Sequence, residues 1–133
     1  MSILLDTTFL VAFAVKEDQY HSRARSIALE VSQKSPLVVL DCIFFEFVTL
    51  LRKRVSNPHV ASQEGNALLG DNRIVVVSTN QRLFVDSWKL FQKYSQLSLA
   101  DAALVAYAQF SGVHSIVSFD KDFDIFEFVQ RIC

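Results

Sequence analysis

Four acids stand out by type and setting in this 133-residue chain: Asp6 in ILLDTTFL, Glu46 in CIFFEFVTLLRKR, Asp101 in LSLADAALVAYAQF and Asp120 in IVSFDKDFDIF. Brought together, they would form an all-oxygen donor set without His or Cys, which suits a hard divalent cation such as Mg²⁺ or Mn²⁺. Such ions keep several waters and bind phosphate oxygens. The chemistry that follows is in-line attack on a phosphodiester by metal-activated water.

Each acid also has a purely structural reading. Asp6 and Asp41 both follow an apolar run and precede a helical stretch, as N-caps do. Asp41, at the end of its own strand, is in addition a candidate support for the site. Asp120 could close its strand with an Asx-turn. Ser98 and Asp101 have capping-box spacing, with Asp in place of the usual Glu. Glu46 is the hardest to explain this way: Phe44, Phe45 and Phe47 surround it, and a buried carboxylate there is costly unless protonated, paired or bound to a cation.

Other chemistries fail on spacing. Asp120, Asp122 and Asp124 match the first ligand positions of an EF-hand loop, but Ile125 stands where Gly is needed and Arg131 where the bidentate Glu is needed. A haloacid-dehalogenase-type phosphatase requires a second Asp where Thr8 stands. A phosphoacceptor signalling domain needs a Lys after a late strand, and Lys121 stands in the wrong relation to the aspartates. Walker A, dinucleotide-binding and nucleophile-elbow motifs are absent.

The elements that must position these acids alternate. Ile3 to Leu5, Leu37 to Leu40, Ile74 to Val77 and Ser115 to Ser118 are short apolar runs, as parallel strands covered on both faces tend to be. Helical stretches are expected over Thr8 to Val15, Tyr20 to Ser32, Ile43 to Val55, His59 to Leu69, Gln81 to Tyr94 and Leu99 to Phe110. The pattern predicts one α/β domain over residues 1–133: a three-layer α/β/α arrangement around a parallel sheet of four or five short strands. Asp6 and Asp120 then fall at the carboxyl edge of the sheet, where ligands of open parallel sheets bind.

Composition bounds the function. A net charge of −1 offers no broad basic surface for non-specific duplex binding. A metal held by acids would still change the local sign. Cys42 and Cys133 match no zinc spacing. No run approaches the roughly 20 apolar residues of a membrane span, and the first residues lack a signal-peptide pattern, so the expected setting is cytoplasmic.

In order and context, Asp6 in LLDTTFL, Glu46 in FFEFVTLLRK, Asp101 in LSLADAALVAYA and Asp120 in IVSFDKDFD resemble the PIN-domain nucleases, most closely the VapC-like toxins of type II toxin-antitoxin pairs. The resemblance covers nearly the whole chain. It implies a Mg²⁺- or Mn²⁺-dependent ribonuclease with Asp6, Glu46, Asp101 and Asp120 as catalytic, metal-binding acids. It also implies a homodimer and an antitoxin whose peptide covers the active groove. Asp122 matches a variable extra acid that would help hold a second ion, with a solvated loop charge as the alternative, and Thr7 and Ser118 match polar positions that support the cluster. His21 matches a position common in the toxin branch, with an ordinary helix residue as the alternative. Asp124 is left as a cap or turn residue. Arg52, Lys53 and Arg54 are candidates to contact RNA phosphates, although cations at a helix C-terminus contribute ~0.3–1 kcal/mol without any partner. Single-stranded or looped RNA is the expected substrate, because duplex RNA hides its base edges in a deep groove. The alternative is a PIN-like subunit that binds RNA or protein without cleaving.

Overall fold

The computed structural model describes residues 2–133. Five short strands, β1 (Ile3–Leu5), β2 (Leu37–Leu40), β3 (Ile74–Val77), β4 (Ser115–Val117) and β5 (Gln130–Ile132), form one sheet in the order β3-β2-β1-β4-β5. Every pairing is parallel. Parallel neighbours need a crossover between them, and the chain supplies α1 (Thr7–Ala14), α2 (His21–Val31), α3 (Asp41–Arg54), α4 (His59–Gly70), α5 (Gln81–Lys93) and α6 (Leu99–Ser111). The result is a three-layer α/β/α domain. The chain winds outward from β1 through β2 to β3 on one side and from β4 to β5 on the other, so β1 and β4 meet where the direction of winding reverses. In open α/β sheets that is where ligands bind.

The central strands are buried because their residues are apolar on both faces: Leu4, Val39, Leu40, Ile116 and Val117 are all fully enclosed. The edges differ from that expectation. In β3, Val75 is 50% exposed and Val76 is exposed too, so this strand is not covered on both faces. The fifth strand, Gln130–Ile132, has too polar a sequence to read as a strand; it pairs only with β4, through Ser115↔Gln130, Ile116↔Arg131 and Val117↔Ile132.

Helix α6 is enclosed through its middle turns. Ala102 to Ala106 and Ala108 are buried, as expected of a helix apolar nearly all round that packs against α3 on one side and α5 on another. Both of its ends are chemically fixed. Ser98 Oγ accepts from Asp101 N at 3.1 Å while Ser98 N donates to Asp101 Oδ2 at 3.3 Å, a reciprocal capping box. Gly112, at φ 75°, ends the helix in the left-handed conformation that glycine adopts without penalty.

Helices α1 and α3 begin one and two residues earlier than expected, at Thr7 and Asp41. Asp41 is therefore the first residue of its helix and not its N-cap. Its carboxylate accepts from Thr79 N at 3.0 Å, Thr79 Oγ1 at 2.6 Å and its neighbour Cys42 N at 2.8 Å, tying the start of α3 to the link after β3. Burial raises the Asp41 pKa, but these hydrogen bonds outweigh it and hold the group below the usual carboxylate range.

The enclosure of α6 predicts that Leu104→Ala, at a position with no exposure, destabilises the fold by about 2–5 kcal/mol through lost contacts and a cavity. Leu69→Ala, at a site 56% exposed on α4, should shift the melting temperature far less. Thermal denaturation of the two variants checks this; equal losses would contradict the packing described.

Candidate active site

At the carboxyl edge of the sheet a cleft of about 560 Å³ is lined by Asp6, Glu46, Asp101 and Asp120 together. They come from four elements: Asp6 from the end of β1, Glu46 from α3, Asp101 from the first turn of α6, and Asp120 from the segment after β4. A separate, mostly apolar groove of about 340 Å³ carries none of the four.

Asp6 occupies the N-cap position of α1, yet its side chain caps nothing. It is 1% exposed, and its Oδ2 instead accepts from Thr8 Oγ1 at 2.8 Å and from Ser118 Oγ at 2.6 Å. Each hydroxyl has one hydrogen, spent on Asp6, and each accepts a backbone N–H in return: Phe119 N to Thr8 Oγ1 at 3.0 Å and Asp120 N to Ser118 Oγ at 2.9 Å. The network locks the end of β1 to the chain leaving β4. Ser118 stands where expected, but the hydroxyl beside Asp6 that engages it belongs to Thr8 and not Thr7. Thr7 is buried at the cleft, with its Oγ1 lacking a hydrogen-bond partner among the described residues.

The remaining acids combine local and long-range roles. Asp101 makes its capping box and still faces the cleft. Asp120 closes an Asx-turn, its Oδ1 accepting from Asp122 N at 2.9 Å, and opens the 3-10 turn Lys121–Ile125. Glu46 is half-buried at the cleft wall.

Electrostatics tie the acids to one another. Burial pushes the Asp101 carboxyl up to about 7, with the charge of Asp6 adding to it, the Ser98 hydrogen bonds opposing it, and the charge of Asp120 adding a little more. Burial also raises Asp6, against the Ser118 and Thr8 hydrogen bonds, and Glu46 contributes in the same direction. Among the described residues, ion pairs join Lys34 to Glu30, Arg54 to Asp18, Arg73 to Asp71, Arg82 to Asp86 and Arg131 to Asp124; none reaches the four cleft acids.

This donor set fits a hard divalent cation in kind: carboxylates paired to no basic side chain among the described residues, two of them, Asp6 and Asp101, raised in pKa by burial and by neighbouring acids, and a buried hydroxyl, that of Thr7, without a partner among the described residues. It is not a ready-made cage. No three His, Cys, Asp or Glu side chains among the described residues are grouped so that they could hold one ion. Mg²⁺ tolerates that arrangement, because it commonly binds through one or two carboxylates and keeps waters elsewhere.

Several expected residues lie apart from the cleft. Asp122 does not line it; its backbone N–H donates to Asp120, whose neighbouring charge raises the Asp122 pKa. Asp124 lies within the 3-10 turn Lys121–Ile125, as a turn residue, and its side chain pairs with Arg131 at 2.8 Å. Arg52 and Lys53 are exposed outside the cleft, whereas Arg54 lines it. His21 Nδ1 lies 2.8 Å from Ala12 O, an oxygen that can only accept, so the ring donates and joins the start of α2 to α1.

Asp18, Tyr20 and Phe119 line the cleft and had no role in the sequence reading. Asp18 Oδ2 accepts from Arg54 Nη1 at 2.9 Å and its Oδ1 from Tyr20 N at 2.8 Å, while the Tyr20 ring stacks on Phe119. The only local signal was their place in the loop before α2; the partners lie 36 residues away in the chain for Asp18 and Arg54 and 99 for Tyr20 and Phe119.

Comparison with known proteins agrees with this architecture. The fold is similar to that of VapC20 from Mycobacterium tuberculosis, described as a sarcin-ricin loop cleaving toxin, at a TM-score of 0.83 and 23% identity over 96% of each chain. It is also similar to a VapBC2 structure from Rickettsia felis bound to a fragment of promoter DNA, at a TM-score of 0.75 and 11% identity over 99% of this chain and 98% of the other. A toxin-antitoxin complex from Klebsiella pneumoniae matches at a TM-score of 0.69 and 22% identity, covering 96% of this chain and 95% of the other. No curated protein sequence matches. The PIN domain, in contrast, matches residues 3–129, and over that span this chain belongs to the PIN-domain family.

Proposed function

We propose that this chain, as a single PIN domain over residues 1–133, is a Mg²⁺- or Mn²⁺-dependent endoribonuclease that hydrolyses phosphodiester bonds of single-stranded or looped RNA, acting as the toxin of a toxin-antitoxin pair. The observation that carries the reading is the convergence of Asp6, Glu46, Asp101 and Asp120, unpaired by any basic side chain among the described residues, on one cleft at the winding reversal of a PIN-family sheet. The antitoxin partner is supported by two of the similar structures, which contain toxin and antitoxin together. A homodimer fits the exposed apolar face of α5, where Phe84, Trp88 and Phe91 recur at helical spacing. No helix among the described residues is long and apolar enough to cross a membrane, which suits a cytoplasmic protein.

In this mechanism the four acids are the catalytic, metal-binding residues. The chemistry supplied by bound Mg²⁺ or Mn²⁺ is charge neutralisation at the phosphodiester and acidification of an attacking water. Ser118 and Thr8 fix the Asp6 carboxylate in orientation, and the capping box does the same for Asp101. Arg54 contacts a phosphate at the cleft, with Arg52 and Lys53 as more distant contacts along the same helix end. Asp122 is a candidate helper for a second ion. The absence of a ready three-acid cage among the described residues favours one other reading, a PIN-domain subunit that binds RNA or protein without cleaving.

Three outcomes are expected. Purified protein, freed of any antitoxin, cleaves single-stranded RNA with Mg²⁺ or Mn²⁺ and stops in EDTA; equal cleavage in EDTA would sink the metal mechanism, and a folded but inactive protein would favour the binding subunit.

Glu46→Gln keeps size and polarity while removing the charge, so it should lower cleavage by roughly 100-fold without lowering the melting temperature. Glu30→Gln, which removes an exposed pair with Lys34, should change little. Similar activity in the two variants would make Glu46 a structural residue.

The third outcome concerns pH. With its carboxyl near 7, folded Asp101 holds a proton that the unfolded chain releases near its ordinary value of 3.8. Metal-free wild type therefore loses stability as pH rises between about 4 and 7, whereas Asp101→Asn does not titrate there. The variant's melting temperature should gain on wild type through that window and level off above it, and Mn²⁺ at neutral pH should raise wild type more than the variant. A difference that does not change with pH would show that burial and the neighbouring acids do not raise the Asp101 carboxyl.

A further inference from the structure

The cleft has a problem with its own substrate. It is lined by five carboxylates, those of Asp6, Asp18, Glu46, Asp101 and Asp120, against one guanidinium, that of Arg54. Arg54 is itself paired to Asp18 at 2.9 Å. The chain's own charge does not draw a polyanion into such a place, and beside whatever charge a bound cation supplies, an uncharged contact is built into the wall. Tyr20 and Phe119 lie with ring centroids 4.5 Å apart and planes within 8° of parallel, both lining the cleft. Tyr20 remains 42% exposed.

Their backbones are held from both sides. Tyr20 N donates to Asp18 Oδ1, and Phe119 N donates to Thr8 Oγ1, the same hydroxyl that donates to Asp6. Phe119 sits between Ser118, bonded to Asp6, and Asp120. The Phe119 side of the stack is thus fixed within one residue of the acids' own network. A rigid, partly exposed aromatic plane beside a phosphodiester-cleaving centre is the geometry on which a splayed nucleobase stacks, a contact that tolerates any base and strengthens with π-surface.

We propose that the Tyr20–Phe119 pair is a nucleobase platform that seats an unpaired base, a purine in preference, next to the phosphate presented to the acids. The assignment rests on the reading of this cleft as an RNA site and gives that reading a substrate feature: a base free to leave its stack. Duplex RNA cannot supply one without unpairing.

The test uses short single-stranded RNA containing 2-aminopurine, whose fluorescence is quenched on stacking, titrated into wild type, Tyr20→Phe, Tyr20→Leu and Tyr20→Ala, with melting curves for each. Quenching is expected with wild type and Tyr20→Phe. Tyr20→Leu keeps apolar bulk without a ring and, like Tyr20→Ala, should lose the quench and bind about 5- to 100-fold more weakly. In cleavage assays the loss should fall on KM more than on kcat, and Tyr20→Phe should restore it. Absence of quenching in wild type, or retention of quenching and affinity in Tyr20→Leu, overturns the platform whether or not RNA is cleaved. Quenching that depends on Tyr20 in a protein that cleaves no RNA supports the platform and removes the nuclease reading instead.

Discussion

The hydroxyl of Ser118 donates to Asp6 Oδ2 across 112 residues of chain, and the site depends on that bond more than on any other. It exists because β1 and β4 are neighbours in the sheet, with Asp6 N donating to Val117 O as the ladder runs out. The side chains that follow on the two strands are then left side by side. Thr8 completes the arrangement, giving its hydrogen to the same oxygen and accepting from Phe119 N. Two neutral hydroxyls partly replace water around a carboxylate that is otherwise removed from it, which is what a buried acid requires. Without them Asp6 would protonate or turn outward, and Asp120, whose backbone hangs on Ser118 Oγ, would lose its placement too.

Much of this was legible in the sequence because the central strands are uniformly apolar and the acids interrupt apolar runs abruptly. The margin of the sheet was harder to read: a strand buried on two faces announces itself by composition, whereas β5, with Gln130 and Arg131, is held by pairing to β4 alone. The choice between Thr7 and Thr8 was equally hidden. Adjacent helical residues point about 100° apart, and which of two hydroxyls meets Asp6 is decided by how α1 leaves the sheet. Asp41 carried the sequence signature of a cap but is spent on Thr79, 38 residues on, a partner no local pattern names. Asp101, by contrast, was readable in its capping role, since that role is local.

The structural and functional readings of the acids turn out not to compete. Asp101 closes a capping box and faces the cleft; Asp120 closes an Asx-turn and faces it as well. A carboxylate has two oxygens and about four lone-pair directions, so one backbone hydrogen bond leaves capacity for another task. The local bond also fixes the side chain's rotamer, which lowers the entropy cost of presenting the remaining oxygen. A local cap can thus also aim an acid into the cleft.

The distribution of basic residues separates the acids into two kinds. With 13 Lys and Arg against 14 Asp and Glu, this chain has nearly enough cations to pair every carboxylate. The fold places them on Asp18, Glu30, Asp71, Asp86 and Asp124, all outside the group of four. Arg54 lines the same cleft, yet it turns to Asp18. Asp6 and Asp101 are left in a setting that raises both their pKa values, a cost in stability that a fold seeking only to hold together would avoid by pairing them or replacing them with apolar residues. Keeping four uncompensated carboxylates on one cleft makes physical sense when the compensating charge arrives from outside the chain, and that requirement, more than any one residue, is what distinguishes this edge of the sheet from the rest of the surface.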